Sequence, residues 1–95
     1  MRKTYYMGRE CGAQTVEMRR GNISYISLGS VERPSPDEQA MGAPGWRFRP
    51  SCRLTGKPAK ALADRLSSIS IAHGRGEITA EQRLDATDRA IRAEG

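Results

Sequence analysis

The sequence predicts an α+β fold: a small antiparallel sheet of three to four strands, then a C-terminal helical hairpin, with one short helix in the connection. Three observations carry this. The first half holds short runs rich in Tyr, Val, Ile and Thr, punctuated by Gly8, Gly12, Gly21 and Gly29, the composition and spacing of strands and turns. Residues 29–45 contain three prolines and three glycines, which mark a long connection. From Pro58 onward the apolar residues recur at helical spacing.

Strands are expected over Arg2 to Met7, Thr15 to Arg19 and Ile23 to Leu28. Arg20-Gly21-Asn22 lies between two alternating segments, and Gly and Asn tolerate the positive φ that a tight hairpin demands. The second and third strands should therefore pair antiparallel, with the Arg20 to Asn22 turn exposed. In the third strand Ile23 and Tyr25 share one face while Ile26 and Leu28 share the other, so apolar side chains on both sides place it centrally in the sheet. Tyr5, Val16, Met18, Ile26 and Leu28 are expected to be largely buried.

In the connection, Ser35-Pro36-Asp37-Glu38 has the features of a helix start. Serine caps, proline takes the first helical position, acids occupy the first turn, and Ser and Glu have the spacing of a capping box. A helix of one or two turns should end near Gly42. Trp46-Arg47-Phe48-Arg49 then alternates aromatic and cationic, as a fourth strand with one apolar and one charged face would, and Pro50 should end it.

Ala59, Leu62, Ala63, Leu66 and Ile69 predict an amphipathic helix over 58–72 with Pro58 in its first turn, stopped by Gly74 and Gly76. Thr79-Ala80-Glu81-Gln82 supplies a second capping box, opening a helix from about 80 to 93 whose apolar positions are Ala80, Leu84, Thr87 and Ile91. That stripe is too narrow for the helix to stand alone in water. It should pack on the preceding helix or take part in a homodimer built through the hairpin. At least one of the helices should cover a sheet face, because neither element buries its apolar side alone.

Leu62, Leu66 and Ile69, followed by Gly76-Glu77-Ile78-Thr79-Ala80-Glu81-Gln82 and a polar helix, resemble the helical-hairpin modules called SHOCT domains. The resemblance is confined to the last third of the chain, and that family's second run of leucines is reduced here to Leu84 and Ile91. It implies a helical hairpin and carries no activity with it.

The 95 residues are expected to form one domain, with a basic, strand-rich part over 1–50 and a two-helix part over 58–93. Val, Ile, Leu and Phe number only 14, so the core must be thin, and support from a partner or a second copy is expected. The basic N-terminus leads into no apolar run, so neither a secretory signal nor a membrane span is expected, and the chain reads as cytoplasmic. Cys11 and Cys52 would then stay reduced and act as small, half-buried apolar residues, with no metal or redox role. His73, the one histidine, sits beside Gly74-Arg75-Gly76, where an imidazole near a helix C-terminus is simply solvated. With no His/Cys cluster, no phosphate loop and no nucleophile elbow, the inventory argues against an enzyme, a cofactor, a metal or a small-molecule substrate.

Charge distribution is more informative. Residues 1–57 hold 10 Lys and Arg against 5 Asp and Glu, while residues 58–95 hold 6 of each, so the whole excess of +5 lies in the strand-rich part. The stretch from Gln39 to Ala63 carries Arg47, Arg49, Arg53, Lys57 and Lys60 without one acid. Two arginines alternating on a strand share a face about 7 Å apart, close to the spacing of successive phosphates along one strand of nucleic acid, and planar guanidinium groups suit phosphate. These five residues are therefore the candidate partner-binding site. The expected function is non-enzymatic binding of an anionic partner, a nucleic acid or nucleoprotein complex, through this basic strand and loop. The alternative is a small phage or mobile-element inhibitor or adaptor that docks on an acidic protein surface, for example an anti-CRISPR-type factor. Trp46 and Phe48 lie opposite the arginines and are expected to pack in the core.

Overall fold

A computed structural model describes residues 2–18, 22–42 and 45–94. In chain order the elements are β1 (Arg2–Met7), β2 (Cys11–Glu17), β3 (Ile23–Glu32), α1 (Pro36–Ala40), β4 (Arg47–Leu54), α2 (Gly56–Gly74) and α3 (Ala80–Arg92). The strands form one antiparallel sheet in the order β1-β2-β3-β4, and the α+β architecture agrees with the sequence reading. β3 is central, between β2 and β4, as its two apolar faces require. Of the turn joining β2 and β3, Arg20 and Gly21 lie outside the described residues. Its far end is exposed at Asn22, whose carbonyl accepts the Met18 N–H at 2.6 Å.

Two strands are longer than their propensities suggest. β2 begins at Cys11 rather than Thr15, because Cys11-Gly12-Ala13-Gln14 is flanked on both sides by strands that pair with it: Ala13 lies between Tyr6 and Leu28, and Gln14 between Tyr5 and Ser27. Tertiary pairing overrides weak local preference. β4 runs through Pro50 to Leu54 instead of stopping there. It is an edge strand whose register shifts opposite Leu28 and Gly29, and a missing ladder N–H is best tolerated at such an edge.

Both helices lie on the same side of the sheet, α2 against β3 and α3 against β2 and β1, and the two helices pack on each other. Ala13, Ile26 and Leu28 from the sheet meet Ala59, Leu62 and Leu66 from α2 and Ala90 and Ile91 from α3. Tyr6, Cys11, Leu54 and Ile69 close the border of this core. Alanines on the sheet and on both helices let the backbones approach, so a few large side chains suffice to fill the space. The Thr79 capping box forms in full, whereas at Ser35 only the serine half of the expected box forms, because the Glu38 carboxylate meets the Ser35 hydroxyl and Arg47 instead. The Ser35 hydroxyl accepts the Glu38 N–H at 3.2 Å. Thr79 and Gln82 cap each other reciprocally, at 3.1 and 2.8 Å.

Val16, Ile26 and Leu28 are buried as expected, but Tyr5 and Met18 are 48% and 51% exposed. Met18 lies past the end of β2, and Tyr5 projects from the face that no helix covers. On α3 the buried positions are Thr87, Asp88, Ala90 and Ile91, while Ala80 is exposed and Leu84 only half-buried. The helix contacts the sheet through its C-terminal half. Cys11 is half-buried, but Cys52 is exposed because the helical layer does not extend over β4 at that point. Among the described residues, no helix is long and apolar enough to cross a membrane.

Candidate functional site

The five cations of the acid-free window do not converge. Arg47 and Arg49 share one face of β4, as alternation requires, but each meets a carboxylate: Arg47 Nη2 lies 3.2 Å from Glu38 of α1, and Arg49 Nε lies 3.1 Å from Glu32 of β3. Both pairs are exposed, so each contributes little stability, yet they cancel the local field of the two arginines. Arg53 faces the opposite side of the sheet, opposite Ser27, and its guanidinium lies over the Tyr25 ring at 4.0 Å from the centroid. Lys57 and Lys60 stand apart on the first turns of α2, lining a hollow with Asn22, Ile23, Gly56 and Asp64.

The uncovered face of the sheet brings together side chains that the sequence leaves separate. Adjacent pairs in an antiparallel register point the same way, so Lys3, Val16 and Tyr25 form one row, and Tyr5, Gln14, Ser27 and Arg53 the next. Val31 and Phe48 follow at the far end of β3 and β4. β1 and β4 are separated by two strands, about 14 Å at ordinary strand spacing. Even so, the Tyr5 ring centroid is 6.2 Å from both Trp46 and Phe48, in edge-to-face geometry.

Gly12 is what permits this closure. A Cβ there would stand 2.7 Å from Val31 Cγ2 and 3.2 Å from the Phe48 ring, so any side chain at this position would displace the cluster. Trp46 and Phe48 do lie opposite Arg47 and Arg49, but not in the helix-covered core: Trp46 is 43% exposed and Phe48 half-buried. At the positions of this face described above there are two cations, Lys3 and Arg53, and no carboxylate. Neither cation has an ion-pair partner among the described residues. A period-two signal, Lys3-x-Tyr5-x-Met7 with Trp46-x-Phe48, was available to find this surface. What the sequence lacks is the information about which face the helices take.

A second polar cluster joins the β1–β2 hairpin to α3. The buried Asp88 carboxylate accepts the Cys11 N–H at 3.1 Å and the Glu10 N–H at 3.3 Å. Gly8 makes room for it, since a Cβ there would stand 1.9 Å from Asp88 Oδ1. Around it, Arg9 pairs with Asp85 at 2.6 Å, and Arg92 with Glu10. The hydrogen bond to Asp85, and then its charge, hold the Arg9 guanidinium above its ordinary pKa. The Cys11 sulfur, and then Glu10, do the same for Arg92. Both arginines stay charged at any physiological pH. These ion pairs are mutually satisfied and hold the hairpin to the helix. His73 lies in the last turn of α2. Among the described residues, no group of three His, Cys, Asp or Glu side chains is placed to hold a metal.

Comparison with protein-family models, with curated proteins and with solved structures finds no match.

Proposed function

We propose that this chain is a non-enzymatic nucleic-acid-binding protein whose contact surface is the uncovered face of its sheet. The observation that supports this reading is the union, on one face, of the Tyr5–Trp46–Phe48 cluster with the Arg53–Tyr25 stack and Lys3, and no carboxylate among them. Cations with aromatic rings beside them are the combination that engages both the phosphates and the bases of a nucleic acid. The +5 net charge adds a general attraction for polyanions. Of the window cations, Arg53 belongs to this surface. Lys57 and Lys60 add to the field from the start of α2, and Arg47 and Arg49 are already occupied by Glu38 and Glu32.

The test is binding of a labelled oligonucleotide as a function of salt. Phosphate contacts release counterions, so affinity should fall steeply as ionic strength rises. Charge reversal at Lys3 and Arg53 should weaken binding and flatten that slope, while Arg47→Glu/Arg49→Glu should change affinity much less. An interaction that persists in high salt and after nuclease treatment would overturn this reading in favour of a protein-docking inhibitor or adaptor.

A further inference from the structure

Resting on the nucleic-acid reading above, we infer that the ligand is single-stranded, with unpaired bases stacking on Tyr5, Trp46 and Phe48 while the backbone runs toward Arg53 and Lys3. In a duplex the faces of the bases are already stacked on one another, and only their edges are offered in the grooves. Exposed aromatic rings on a sheet have nothing to stack against there. On a single strand every base presents a π-face, so a ring cluster with neighbouring cations binds it with little regard to sequence. Tyr5 and Trp46 are each nearly half exposed, in edge-to-face contact, an arrangement that leaves ring surface free for a base.

Charge argues against another occupant. A second copy seated on this face would set Lys3 and Arg53 against Lys3 and Arg53, with no carboxylate at the described positions of the face to compensate. A polyanion meets two cations and no repulsion. The dimensions are those of a short segment: Phe48 pairs with Val31 and Arg53 with Ser27, so the two contact points lie four β3 residues apart, about 13 Å. At about 7 Å between successive phosphates, that span covers two backbone steps, about three nucleotides, just under the low end for a single binding platform.

Trp46 is the only tryptophan, so its fluorescence reads the surface directly. The full chain is titrated with oligothymidylate, with the same oligonucleotide in a duplex, and with heparin as a polyanion that has no bases. Oligothymidylate should quench Trp46 and bind about tenfold or more tightly than the duplex, while heparin should bind without quenching. Tyr5→Leu and Phe48→Leu should each weaken oligothymidylate binding by about tenfold and leave heparin binding unchanged, and Tyr5→Phe should retain affinity. Should a leucine variant fail to fold by circular dichroism, the quenching of the unaltered chain decides alone. Equal affinity for all three polyanions without quenching overturns the stacking inference and leaves nucleic-acid binding standing. Failure to bind any of them overturns both.

Discussion

The helix-covered face of the sheet is made of Ala13, Ile26 and Leu28, none more than 3% exposed, whereas the opposite face carries Tyr5 and Trp46 at 48% and 43%. Where the chain supplies its own cover, small and aliphatic side chains let α2 and α3 come close. Where it supplies none, the large residues are aromatic and stand half in water, beside Lys3 and Arg53. Val16 and Ser27 are buried on that second face as well, so it is sheltered at its centre by its own side chains. The same sheet thus has one surface completed by the helices and one that they leave uncovered.

The sharpest test of this contrast is the covered face. Ile26→Ala removes a fully buried side chain, and about 2 to 5 kcal/mol of stability should be lost, read as a lower midpoint in urea or thermal melts. Asp88→Ala leaves the Cys11 N–H without its acceptor, and a loss of about 1 to 3 kcal/mol is expected. Trp46→Ala removes an edge-to-face contact from a half-exposed site, so the loss should be only about 1 kcal/mol. A loss as large as that of Ile26→Ala would mean that the aromatic cluster is a second core, and the contrast between the faces would fail. The smallest effect per residue is expected from Arg47→Glu/Arg49→Glu, on the order of a few tenths of a kcal/mol for each exposed ion pair broken, with the fold intact by circular dichroism.

Much of the fold is legible in the residues. The two-sided apolar pattern of Ile23 to Leu28 places β3 centrally, and Ser35 and Thr79 mark their helix starts by local chemistry alone. The N-terminal half of β2 is not legible, because Gly12 and Ala13 form a strand only through partners on both sides. The candidate site is legible in part. The window from Gln39 to Ala63 is free of acids, but the carboxylates that meet its arginines lie just outside it, at Glu38 and Glu32, and are brought back by α1 and by the antiparallel register of β3 and β4. Exposure of Tyr5 was equally unreadable: alternation separates two faces without saying which one the helices will take. Asp88 gives no signal at all, since an acid on a polar helix is ordinarily solvated.

The Asp88 link also sets an order of events during synthesis. Its carboxylate and the Cys11 N–H it accepts are 77 residues apart. At about 5 to 20 residues per second, the first hairpin leaves the ribosome roughly 4 to 15 seconds before the residue that fastens it. Through that interval the core face of the nascent sheet waits without α3. A chain dense in large aliphatic residues would be prone to aggregate in that state, whereas here the waiting face presents Ala13, Thr15, Ile26 and Leu28 at its centre. The sparse core that makes the finished fold thin also limits the aliphatic surface that the unfinished one exposes.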